Sequence, residues 1–170
     1  MISKKSIAIL GIILSSSLIL SGCGQKIAEL GAEKAAERAL ENSLGGKANV
    51  DINGKTMEIN TENGSIKSGE NISLPGEFPG DVYIIDGRVI TYVDNMPGQK
   101  YAVSIVTTKS IADAGNIYET KLKEAGWKIT ASMRAEGTVV LGAKKDDRNL
   151  SIIIGASDKG ESMVTLGETK

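Results

Sequence analysis

Any chemistry in this chain has to be done without histidine and with a single cysteine. Without histidine there is no Ser-His-Asp or Cys-His nucleophile, no His-ligated zinc or haem, and no side chain that ordinarily titrates near neutrality. One cysteine allows no intramolecular disulfide, no CxxC redox pair and no cysteine zinc site. Carboxylate chemistry remains, since a glycosidase needs only two placed acids. The candidates Asp86, Asp94, Asp146, Asp147 and Asp158 all fall in expected turns, where Asp is an ordinary turn residue. Asp113-Ala114-Gly115 resembles an aspartic protease triplet only faintly and lies inside an expected helix. Neither Ser-x-x-Lys, nor a P-loop, nor a Gly-rich dinucleotide pattern occurs. The reading is therefore not an enzyme, with no cofactor and no metal site. Lys144, Lys145 and Arg148 could meet an acidic partner, but Asp146 and Asp147 between them point to a solvated turn. Three aromatics, Tyr92, Tyr101 and Trp127, are the candidate ligand contacts. Folding about Pro97-Gly98 would set Tyr92 opposite Tyr101, a pair able to stack on a sugar ring. Aromatic cross-strand pairs also stabilise sheets with no ligand, and that reading is preferred. A net charge of −1 gives no reason to expect nucleic acid.

The lone cysteine, Cys23, stands where a different chemistry needs it. Lys4 and Lys5 precede an uncharged apolar run over residues 6–20, too short to span a bilayer, which takes about 20 residues. A charged start, a short apolar run and small residues after it describe a secretory signal. Leu20-Ser21-Gly22-Cys23 resembles the lipobox of bacterial lipoprotein precursors. That resemblance implies cleavage between Gly22 and Cys23, a diacylglycerol on the Cys23 thiol and often further acylation (such as palmitate) at the new N-terminus. Two or more acyl chains give stable anchoring where one gives reversible binding. The expected address is the extracytoplasmic face of the cell membrane or outer membrane, with the membrane itself as one partner through the lipid anchor.

The remaining elements must position whatever the body does. Residues 26–44 are rich in Ala, Leu and charge, without Pro, and read as a helix. Glu29, Glu33, Glu37 and Glu41 recur every fourth residue along one stripe, and the apolar stripe opposite is thin. A solvated spacer is the plain reading, and a docking helix is the alternative. Gly45-Gly46 ends it. Residues 47–80 alternate in short runs broken by Asn53-Gly54 and Asn63-Gly64, a strong hairpin signal. Asp51-x-Asn53-Gly54 begins like a calcium loop, but Lys55 stands at a ligand position and the turn reading prevails. Pro75-Gly76 and Pro79-Gly80 flank Phe78 as an entry strap. Residues 82–85 and 89–93 read as a hairpin or bent strap, and 101–107 as a strand.

Residues 110–125 carry Ser110 as cap with Asp113 three positions on, an apolar face through Ile111, Ala114, Tyr118 and Leu122, and Gly126 as stop. Gly115 inside that helix would let it approach a sheet closely. Trp127, Ile129, Ala131 and Met133 alternate as a half-buried strand, and three more strands follow. The expected fold is α+β: an antiparallel meander with one packed helix, preceded by the spacer helix and a small β-hairpin segment. The expected domains are residues 1–22 (signal), 23–46 (lipidated Cys and helix), 47–80 (hairpin and linker) and 81–170 (globular unit). Asp81-Val82, Gly87 and Leu122 through Gly126-Trp127 make residues 45–170 similar to a widespread group of uncharacterised bacterial lipoproteins, which implies a fold and an address without an activity. The function expected is a lipid-anchored, non-catalytic interaction or structural module of the cell envelope with an envelope protein as partner. The alternative is a glycan- or small-molecule-binding lipoprotein, with a carboxylate hydrolase behind it.

Overall fold

The computed structural model describes residues 25–169. The lipobox, the Gly22/Cys23 cleavage site and Cys23 lie outside them. The elements are α1 (Gln25–Ser43), β1 (Ala48–Asn53), β2 (Thr56–Thr61), β3 (Gly64–Gly69), β4 (Arg88–Asp94), β5 (Gln99–Thr107), α2 (Ile111–Glu124), β6 (Lys128–Ala135), β7 (Thr138–Lys145), β8 (Arg148–Ala156), a 3₁₀ turn (Asp158–Gly160) and β9 (Ser162–Thr169). All nine strands form one antiparallel sheet in the order β1-β2-β3-β4-β5-β9-β8-β7-β6. Helix α2 carries the chain from the central β5 out to the far edge, β6. The meander then returns and seats β9 beside β5.

Residues 47–80 do not stand apart. Strand β3 pairs with β4, so β1–β3 continue the sheet of the expected globular unit. A boundary at 80/81 falls inside the strap of residues 70–87, whose Ile72, Val82 and Ile85 are buried in the same core as α2. Its tie is a backbone bond from Ile72 N–H to Val89 C=O and a side-chain bond from Trp127 Nε1 to Asp81 C=O. Residues 82–85 form no strand.

Helix α2 forms where its apolar spacing requires. Ser110 Oγ accepts from Asp113 N–H at 3.1 Å and caps the start. At the other end Gly126 adopts φ +82°, and the N–H groups of Gly126 and Trp127 bond back to Lys123 and Leu122 C=O, a Schellman stop. Ala114, Gly115, Tyr118 and Leu122 face the sheet and are buried. A Cβ on Gly115 would come within 3.1 Å of Val139, so glycine is what sets the helix this close.

Two expectations change. Strand β6 is not half-buried: only Ile129 reaches the core, because β6 is the sheet edge and α2 crosses it only in part. Nor is α1 a free spacer. It lies along the opposite edge, β1, where Glu33, Glu37 and Glu41 accept hydrogen bonds from the N–H groups of Gly54, Ile52 and Val50 at 3.0–3.1 Å.

Candidate interaction surface

The strand register sorts every side chain onto one of two faces. On the front, Val103, Ile105, Leu141, Ile152, Ile154, Val164 and Leu166 pack under α2 and the strap as one dry core. No described helix covers the back of the five strands β5, β9, β8, β7 and β6, since α1 contacts β1 and α2 lies on the front, although Val106 at its β5 margin is buried.

Pairing partners lay out this back face as three rows. One runs Ala102, Gly167, Ser151, Gly142, Ala131, the next Ser104, Thr165, Ile153, Val140, Met133, and the third Val106, Met163, Gly155, Thr138, Ala135. None of the fifteen carries a charge. A one-sided antiparallel sheet ordinarily turns polar residues to water on this side, and charged ones near its edges. Here Met133, Ile153 and Met163 are 58, 49 and 39% exposed. Met133 and Ile153 both adjoin Val140 in one row, and Met163 lies in the next row across β9. Gly155 stands beside Met163 in its row, and Gly142 and Gly167 lie in the first row. Charge returns only at the margins, with Lys128 facing Lys144 at one corner and Arg88 held to Glu161 at another.

The three aromatics singled out in the sequence part company. Trp127 is 2% exposed and Tyr101 3%, so both belong to the core rather than to a ligand platform. They frame a half-buried ionic knot around the buried Glu168. Arg148 donates from Nε and Nη2 to Glu168 at 2.9 and 2.7 Å, and from Nη1 to both oxygens of Asp81 at 3.0 and 2.8 Å. Its guanidinium lies 4.8 Å from the Trp127 ring centre. Tyr101 OH donates to Glu168 at 3.0 Å, Lys100 reaches the other Glu168 oxygen at 3.2 Å, and Lys145 bridges Asp81 to Ala125 C=O. Burial pushes the Glu168 carboxyl up, but hydrogen bonds from Arg148, Tyr101 and Lys100 outweigh it and hold the group below the usual carboxylate range. Burial also raises the Tyr101 phenol, with Glu168 adding to it. Every partner is engaged, so the knot ties strap, β7, β8 and β9 together and leaves no acid poised for proton transfer.

Tyr92 is the aromatic that stays accessible. The turn centred between Pro97 and Gly98 sets Tyr92 against Val103 and Tyr101 against Asp94, so the two tyrosines are diagonal neighbours and do not face each other. Phe78 stands edge-on to both, 6.4 Å from Tyr92 and 4.9 Å from Tyr101. Tyr92 lines a groove of about 290 Å³ between the strap and the polar front of β2–β4, with Glu58, Lys67, Glu77 and Asp94 around it. Its hydroxyl donates to Asp94 at 3.2 Å, and burial with Asp94 nearby pushes its pKa up to about 12.

Among the described residues no group of acids and Cys could hold a metal ion, and no helix is long and apolar enough to cross a membrane. A family model described as START domain-like matches residues 90–161, a span from β4 through α2 to the 3₁₀ turn. No curated protein and no solved structure matches the chain.

Proposed function

We propose that this is a lipid-anchored, non-catalytic interaction module of the bacterial cell envelope, tethered through Cys23 and docking an envelope protein on the bare back of its sheet. The observation that carries the docking reading is the uncharged fifteen-residue face with Met133, Ile153 and Met163 at its exposed positions. The anchoring reading rests on the lipobox Leu20-Ser21-Gly22-Cys23 behind a short uncharged apolar run. Its place is the outer side of the cell membrane or of an outer membrane.

A photo-crosslinking residue at Ile153 or Met133, in intact envelopes, tests the face. Capture of one stoichiometric protein from these positions, and none from Asp113 on α2, is expected. Equal capture at all three positions, or none, overturns the reading. Cys23→Ala tests the anchor: the processed protein should leave the membrane fraction or stay unprocessed. A mature-sized product that still sediments with membranes would sink it.

A second reading, a glycan or small-molecule binder, retains one observation. Tyr92, with acids and a lysine around it, lines a groove of which Tyr92 and Asp94 fall within the span of the START domain-like match. Tyr101 and Trp127 no longer support it.

A further inference from the structure

Helix α1 has an odd charge pattern for a helix. Glu33, Glu37 and Glu41 lie at i, i+4, where like charges repel and destabilise an isolated helix. The structure supplies the reason for them. Four residues of helix rise about 6.0 Å, and two residues of strand about 6.6–6.8 Å, so a glutamate on each turn meets every second amide of an antiparallel strand. That is the pairing seen on β1, Glu41 with Val50 and Glu37 with Ile52, and Glu33 takes the next amide, Gly54, where the hairpin turn begins. The helix stands in for a missing neighbour strand.

We infer that β1 is a strand-acceptor edge, that α1 is its displaceable cap, and that the occupant it excludes is β1 of a second copy of this chain. Three features point there. First, the cap fills half of the edge: a carboxylate only accepts, so it satisfies outward N–H groups and offers nothing to the outward C=O groups of the same residues, whereas a strand satisfies both. Second, β1 pairs with β2 in unbroken register from Ala48↔Thr61 to Asn53↔Thr56, whereas the other sheet edge, β6, is broken by a bulge at Thr130. Unbulged edges are the ones that recruit another strand. Third, the edge is self-complementary. With Ile52 opposite its own copy, Asp51 meets Asn53, so no like charges face each other along β1. The row through Ile52 and Met57 would then continue across the two-fold into its own copy. This inference is independent of the lipid anchor and of the back-face docking.

The test uses the full chain with Glu33, Glu37 and Glu41 all changed to Ala. Alanine favours helix, so α1 keeps its conformation while losing its acceptors. In dilute solution the amides of Val50, Ile52 and Gly54 should exchange about tenfold faster or more than in the parent. At higher concentration sedimentation should show a dimer, with protection restored. Adding Ile52→Pro, which removes an outward N–H and leaves the β1–β2 ladder, should abolish the dimer. The triple Gln variant retains acceptors and should remain a monomer with slow exchange. Unchanged Trp127 emission and far-UV dichroism will show that the sheet is intact. An Ala variant that is monomeric at every concentration, a dimer indifferent to Ile52→Pro, or pairing only with some other protein overturns the inference.

Discussion

Arg148→Met isolates the ionic knot. Methionine preserves much of the stem that lies on Trp127 but removes four hydrogen bonds, two to Glu168 and two to Asp81. The two ends are unequal. Asp81 has a side chain 27% exposed and retains Lys145, so water and that lysine absorb most of its loss. Glu168 is 2% exposed and is left with Tyr101 and the surface-facing Lys100. Breaking a buried pair on one side costs about 3–5 kcal/mol, and with Lys100 still in place about 3 kcal/mol is expected at pH 7. Urea melts should show a midpoint lower by about 1–1.5 M. The pH dependence is the sharper check. In the parent, the depressed Glu168 carboxyl contributes stability above its unfolded pKa, and this is lost as pH falls through the lower folded value. In the variant burial is offset only by Tyr101 and Lys100, the carboxyl rises relative to the parent, and acid costs the variant less. The stability gap between the two proteins should therefore narrow from pH 7 to pH 4. In the cycle with Glu168→Gln, the double variant should be more stable than the two single losses add up to. A gap that is the same at both pH values, or below about 1 kcal/mol at pH 7, would refute the reasoning that one buried carboxylate dominates the knot.

Gly115→Val should destabilise by about 2–3 kcal/mol in thermal or urea melts, since its Cβ alone meets Val139 at 3.1 Å and two more methyls force α2 off the sheet. Trp127 should emit at short wavelength and resist acrylamide, and quenching of a free indole would place it outside the core. Met133→Lys with Ile153→Lys should shift stability by no more than about 0.5 kcal/mol each while abolishing capture by crosslinkers on the back face, because about half or more of each residue is already exposed.

Local signals were readable where local physics decides. Ser110 with Asp113 and Gly126 with Trp127 marked both ends of α2, and Asn53-Gly54 marked the β1–β2 hairpin. What depended on distant partners was not. The glutamate stripe read as solvated because its acceptors are satisfied by amides 9 to 21 residues away, beyond any helical periodicity. Ile72, Val82 and Ile85 sit in a strap without regular spacing, so nothing local marked them as core. Trp127 and Tyr101 stood only as weak ligand candidates in the sequence, and the groups that hold them, Asp81 C=O and Glu168, come from elsewhere in the chain. The uncharged back face was half-legible: Met133 and Ile153 alternate outward in their strands, but only the register shows that Val140 lies between them.

The seating of β9 between β5 and β8 also has a consequence for how the chain matures. A polypeptide made from its N-terminus delivers β1–β5 and then β6–β8 well before residues 162–169. Until that last strand emerges, the two blocks have no ladder joining them, and β5 and β8 each show a raw edge. Closure of the sheet therefore waits on residues 162–169, which makes β9 the keystone of the arch.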